Sequence, residues 1–262
     1  MRDANPTRRG LLKAGLAGLG GLALAGCEGG GGDGGITQAL FGTEEALTRR
    51  IQGLLAGPNA LAREYGEADI SRSFKPNGST DPQDDAYRAL VKDGFSAFRL
   101  AVDGLVDRPG SFTLADLRAM PSRTQITRHD CVEGWSCIGK WSGVRLSHLL
   151  DTVGVKPEAR FVVFHCADTP DEPSFGDEPA HFYGSIDLAS ARHEQTILAY
   201  DLNGAALAVE HGAPLRLRVE RQLGYKMSKY VMRVEVVDSF AKIGDGHGGY
   251  WEDNGYNWYA GI

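Results

Sequence analysis

The 262-residue sequence predicts an α+β fold, a single domain built on a mixed sheet. Three observations carry this. Alternating apolar runs outnumber helical stretches and lie beside one another late in the chain. No linker-like stretch interrupts residues 95–240. With 42% hydrophobic and 24% charged residues there is material for one sizeable core. No internal repeat of solenoid period is present.

Residues 44–65 read as a helix, because Leu47, Ile51, Leu54 and Leu55 recur at helical spacing until Gly57-Pro58 breaks the run. Residues 71–85, rich in Pro, Asn, Gly and Asp, predict a long loop. Phe98, Leu100 and Val102 alternate with small or polar neighbours and give a strand ending at Gly104. Residues 113–120 form a short capped helix stopped by Pro121, and Leu146, Leu149, Leu150 and Val153 make one face of another. Residues 160–166 hold the run Phe161-Val162-Val163-Phe164, a buried strand. Residues 197–206 turn at Asn203-Gly204, a hairpin signal. Leu215, Leu217 and Val219 alternate with Arg216, Arg218 and Glu220, and Met232, Val234 and Val236 repeat the pattern.

The formal charge is -6. Arg2, Arg8, Arg9 and Lys13 against Asp3 give residues 1–26 a surplus of three, which leaves the remainder at -9. A domain of that sign repels phosphate backbones, so no nucleic-acid partner is expected. Residues 1–27 read as an export signal: a basic start around Arg8-Arg9, then an apolar, glycine-interrupted stretch too short to span a membrane permanently. The adjacent arginines resemble the twin-arginine signal that exports folded proteins. Leu24-Ala25-Gly26-Cys27 resembles a lipobox, in which Cys27 is lipidated. Residues 28–43 then form a glycine-rich tether, and residues 44–262 the folded domain. The expected location is periplasmic or cell-surface, held at the membrane by the lipid.

Beyond Cys27 the cysteines are Cys131, Cys137 and Cys166. Two of them could pair as a disulfide, or all could be buried thiols, and spacing does not decide it. No C-x-x-C is present, neither as a zinc motif nor as the C-x-x-C-H of haem attachment, so no haem is expected in this chain. The context of Cys131 is informative: Arg128-His129-Asp130-Cys131-Val132-Glu133-Gly134-Trp135-Ser136, followed by Trp141-Ser142-Gly143-Val144. This segment resembles the cofactor-ligand loop of the sulfite-oxidase-fold molybdoenzymes. It resembles in particular the periplasmic branch that includes the methionine-sulfoxide reductase catalytic subunit. The likeness covers roughly residues 70–262.

The resemblance implies a sulfite oxidase-type molybdopterin-binding fold and one molybdenum held by molybdopterin, with the Cys131 thiolate as metal ligand. A soft thiolate suits such a metal, and Arg128 and His129 are expected to favour the thiolate form. His211-Gly212-Ala213-Pro214-Leu215-Arg216 and Gly224-Tyr225-Lys226 resemble pterin-binding stretches. Arg216 offers a fork for the pterin phosphate and Lys226 a point charge. Gly224 allows close backbone approach, and His211 stands where the family often has asparagine. Cys166 falls where the reductase branch usually has threonine, and Asn77 lies in the early loop where the family places further pterin contacts, a turn asparagine being the alternative. His129 and Glu133, near the metal, are candidates to orient substrate or move protons. The aromatic tail of residues 244–262 is expected to pack on the domain and shape the pocket mouth.

The implied activity is oxygen-atom transfer, with reduction of small or protein-bound S-oxides such as methionine sulfoxide favoured because Glu133 would repel a sulfite dianion. The alternatives are sulfite dehydrogenase-type oxidation and a non-catalytic lipoprotein scaffold that keeps the fold. Electrons would come from a separate carrier: a membrane haem protein, a quinol-linked subunit or a cytochrome. A monomer is expected.

Overall fold

The computed structural model describes residues 57, 59–170 and 181–262. The expected leader, the tether, Cys27 and the first part of the 44–65 helix lie outside the described residues. Where that helix reaches them it is absent. Residues 59–65 are not helical, and Glu64 bridges Thr127 while the Tyr65 amide donates to the Ile126 carbonyl. Past Pro58 the backbone finds its partners on a strand edge instead.

Two five-stranded sheets face each other. The first runs in the order β2 (Gly110–Phe112), β1 (Leu100–Gly104), β10 (Val231–Val237), β5 (Phe161–Cys166), β6 (Tyr183–Asp187). It is mixed, since β1 and β10 are parallel and the other pairs antiparallel. The second is antiparallel: β3 (Ser122–Asp130), β4 (Ser136–Arg145), then β7 (Ile197–Leu202), against which both β8 (Ala205–Ala206) and β9 (Arg216–Arg218) pair. The α+β reading with mixed sheets holds.

The core lies between the sheets. Leu100, Val102, Val162, Phe164, Val234 and Val236 from the first meet Val144, Leu198 and Leu217 from the second. The helix α3 (Leu146–Val153) inserts Leu146, Leu149, Leu150 and Val153, the four residues its periodicity singled out. The other helices are short: α1 (Asp85–Lys92), capped by Asp84, α2 (Leu114–Ala119), capped by Thr113, α4 (Leu188–Arg192) and α5 (Tyr250–Asp253). At Asn203-Gly204 both residues have positive φ, 54° and 85°, as the hairpin turn between β7 and β8 requires.

Two strands invisible to apolar periodicity, β3 and β4, form the longest hairpin, with register running from Ser122↔Val144 to Asp130↔Ser136. The inward face of β3 is Gln125, Thr127 and His129, all buried and all polar, so no hydrophobic alternation marks it. The strand at 215–220 is also not half-solvated: Arg216, Arg218 and Glu220 are as buried as Leu215, Leu217 and Val219.

Candidate active site

The tip of the β3–β4 hairpin, residues 131–135, carries Cys131. Its amide donates to the Trp135 carbonyl at 2.9 Å, and its carbonyl accepts from the Gly134 amide at 3.0 Å. Gly134 closes this tight turn with φ of 84°, a conformation that glycine adopts freely. The loop thus presents one thiol, half-buried. Cys131, Cys137 and Cys166 are all free, so the disulfide alternative is excluded.

The expected cause of thiolate formation is corrected by the structure. Arg128 is exposed and bound to Asp130, and His129 is fully buried and held well below its usual range by desolvation and then by Arg216 and Arg218. A neutral imidazole gives no charge to a neighbouring thiol. Burial raises the Cys131 thiol; the Glu133 backbone amide draws it down, the Glu133 carboxylate raises it, and Lys75 and Arg216 lower it. In the protein alone the thiolate is therefore not favoured.

Arg216, fully buried on β9, donates to Asn77 Oδ1 at 2.8 Å and to the His211 carbonyl at 3.3 Å. Burial and Arg218 lower it to about 9. Its Nε has no partner, and neither does the buried Nδ1 of His211. Phe74 packs at 5.7 Å from the His211 ring and 5.8 Å from that of His129. Three residues from distant parts of the chain, Asn77, His211 and Arg216, are thus joined.

A cleft beside them is lined by Asn77, Ser79, Cys166, Asp168, Gly224, Tyr225, Met227, Ser228 and Lys229, with Phe182, Tyr183 and Trp251 completing the wall. Cys166 is buried at the end of β5, its thiol pushed well up by desolvation and Asp168. The Tyr225 hydroxyl donates to the Asn257 carbonyl at 2.7 Å. Trp251 lies at 5.7 Å from Phe182 and 5.4 Å from Tyr256, so the tail does shape the mouth.

Lys226 is placed differently from expectation. It is buried in an ion pair with Glu252 and covered by Trp258 at 5.4 Å, and it does not line the cleft. The cleft's cation is Lys229, which the sequence reading passed over. Its ammonium donates to the carbonyls of Asn77 (2.8 Å), Glu210 (2.7 Å) and Ser79, and burial lowers it to about 7. The overlooked signal was a second lysine three residues beyond Lys226 in the same segment.

The family model for the oxidoreductase molybdopterin binding domain matches residues 88–242. A relative from Azospira oryzae, bearing the name protein-methionine-sulfoxide reductase subunit YedZ1, is 40% identical over 98% of this chain and 88% of its own. The chain belongs to the molybdopterin-binding oxidoreductase family. The oxidoreductase YuiH of Bacillus subtilis is 32% identical over 61% of this chain and 72% of its own. Among solved structures, the sulfane dehydrogenase SoxCD from Paracoccus pantotrophus aligns over 54% of this chain and 38% of that one. Its TM-score is 0.47, with 29% identity.

This molybdopterin oxidoreductase has the sulfite oxidase-type fold, and its cofactor is molybdenum bound to molybdopterin. The residues present fit that group. Three buried polar atoms behind the cleft lining, Arg216 Nε, His211 Nδ1 and His129 Nε2, lack partners, as groups that a polar ligand satisfies would. At Gly224 a Cβ would lie 2.5 Å from His129 Nε2, so only glycine fits against the imidazole edge. Among the described residues no three His, Cys, Asp or Glu side chains cluster to hold a metal.

Proposed function

We propose that this oxidoreductase reduces S-oxides, methionine sulfoxide first among them, at a molybdenum held by Cys131. The S-oxide takes up two electrons and two protons and leaves as thioether and water. The metal supplies the two-electron, oxygen-atom chemistry when bound; the chain supplies orientation and charge. Arg216, Asn77, His211, Tyr225 and Lys229 would hold the pterin and its phosphate, with Gly224 and Cys166 as close walls. Lys226, through Glu252, would brace the turn beneath them.

The charge around Cys131 carries the direction. The Glu133 carboxylate acts to raise the thiol, against the residue's own backbone amide, and it accepts from Trp135 Nε1 at 2.8 Å. Of the nearby cations, Arg128 is paired with Asp130 and Lys75 lies 3.9 Å from Glu133, while Arg216 bonds only neutral groups, Asn77 and the His211 carbonyl. The Glu133 carboxylate beside the thiol disfavours a sulfite dianion and leaves a neutral S-oxide unaffected. The name of the Azospira relative supports the same substrate, and its word "subunit" supports a separate electron partner, by our reading a membrane haem protein. Export by the twin-arginine route and a lipid at Cys27 belong to the same proposal.

Steady-state kinetics test it. With reduced viologen as donor, methionine sulfoxide should be reduced with a kcat/KM well above that for sulfite oxidation with ferricyanide. A higher kcat/KM for sulfite than for every S-oxide tried would reverse the direction and leave the cofactor in place.

A further inference from the structure

Behind the Cys131 loop lies a buried polar chain whose last donor has no acceptor in the protein. Arg218, fully buried on β9, grips Glu220 with Nε at 2.8 Å and Nη2 at 2.6 Å. Glu220 also accepts from Gln125 Nε2 at 2.9 Å, and Trp141 covers the guanidinium face at 4.4 Å. The remaining arm, Nη1, reaches His129 Nδ1 at 3.1 Å. A guanidinium only donates, so Nδ1 must accept and the neutral ring carries its proton on Nε2. Met227 Sδ also lies 3.4 Å from Nδ1, but a proton placed there would set two N–H groups against each other at 3.1 Å. Nε2 is buried and without a partner, and it abuts the bare backbone of Gly224, which lines the cleft.

We propose that Arg218 is a positioning residue that fixes the His129 proton on Nε2, so that this neutral N–H donates to an acceptor atom of the bound cofactor, a dithiolene sulfur or a pterin heteroatom. The inference rests on Cys131 marking the cofactor site. A buried Arg–Glu pair is a poor stabilising device, because desolvation offsets its attraction; fixing the orientation of a donor beside a metal ligand is a use that warrants it. Hydrogen bonds to ligand sulfurs raise a centre's reduction potential, and loss of such outer partners lowers activity 10- to 100-fold.

The test uses holoenzyme labelled with 15N-histidine, with His129→Gln identifying the resonances. Two double variants remove the buried charge pair together: Arg218→Gln with Glu220→Gln keeps a donor for Nδ1, and Arg218→Met with Glu220→Gln does not. Wild type and the Gln variant should show Nε2 protonated and Nδ1 bare. The Met variant should lose that single tautomer, lower the molybdenum reduction potential and reduce kcat/KM about tenfold. A wild-type ring protonated on Nδ1 or on both nitrogens overturns the proposal even if the Met variant fails to fold. So does an unchanged potential in a folded Met variant, including one in which KM alone rises, since the acceptor would then be substrate. Tautomer and potential are read without substrate, so failure of S-oxide reduction would leave this inference standing.

Discussion

Cys131 and Cys137 are six residues apart and chemically alike, yet the fold gives them different neighbours. Cys131 sits in the hairpin turn, whereas Cys137 faces the 73–75 segment, accepting from the Lys75 amide at 3.5 Å and lying 3.9 Å from the Ser73 carbonyl. Cys131→Ala should therefore abolish molybdenum binding and Cys137→Ala should keep it, read by elemental analysis of purified protein. Full metal content and activity in Cys131→Ala would remove the ligand assignment. Asp168 poses a different question at this scale. It lines the cleft, its Oδ1 has no partner, and burial raises it from 3.8 to about 7. Between those values the folded chain keeps a proton that the unfolded chain has released, so stability falls as pH rises through that window. Lys229 titrates in the opposite sense, lowered to about 7, so its contribution to stability grows above that pH. Comparing Asp168→Asn with wild type largely cancels the Lys229 contribution. The variant should gain on the order of 2 kcal/mol over wild type at about pH 8 and little at about pH 4, measured by denaturant unfolding of cofactor-free protein.

Elements with an apolar stripe were legible before the structure: β1, β5, β10, the α3 face and the Asn203-Gly204 hairpin all fall where periodicity put them. The strands that build the site were not, because β3 turns Gln125, Thr127 and His129 inward and β9 buries two arginines. Their burial depends on partners such as Glu220 that pair only after tertiary assembly. The motif around Cys131 gave the chemistry where periodicity was silent. It could not tell Lys226 from Lys229, because Glu252, which takes up Lys226, lies 26 residues further along the chain. The three-residue turn Gly224–Lys226 docks on the β3–β4 hairpin through the missing Cβ of Gly224. Gly224→Ala should force the His129 ring or the turn aside, cost about 1–3 kcal/mol of stability and lower molybdenum content. Gly66→Ala is the control: its φ is -85°, and a Cβ there meets Asp69 at an ordinary 3.5 Å. Equal metal content and midpoints for both variants would show that the turn tolerates a side chain at the imidazole edge.

The cleft and the groups beside it draw Asn77, Cys131, Cys166, Arg216, Lys229 and Trp251 from across 175 residues of sequence, with Cys166 on β5 and Arg216 on β9. No short segment can hold the cofactor alone, so the domain must fold before, or as, the cofactor enters. That requirement bears on the address proposed for the chain. A threaded, unfolded polypeptide would leave the cofactor behind, whereas the twin-arginine route carries a loaded domain across intact. Arg8 and Arg9 stand at the start of the apolar stretch and Cys27 at its end, and the body beyond them is acidic, with little attraction of its own for an anionic lipid surface. On the proposed address, retention at the membrane would fall to lipid, and stable anchoring takes two or more acyl chains where one is marginal. Arg8→Lys with Arg9→Lys should leave folded, molybdenum-loaded protein in the cytoplasm, and Cys27→Ser should move exported protein from the membrane to the soluble fraction with its activity kept. Fractionation followed by metal analysis reads both. Cys27→Ser protein still fully membrane-bound would eliminate the lipid anchor, and export undiminished by the paired lysines would eliminate the folded route.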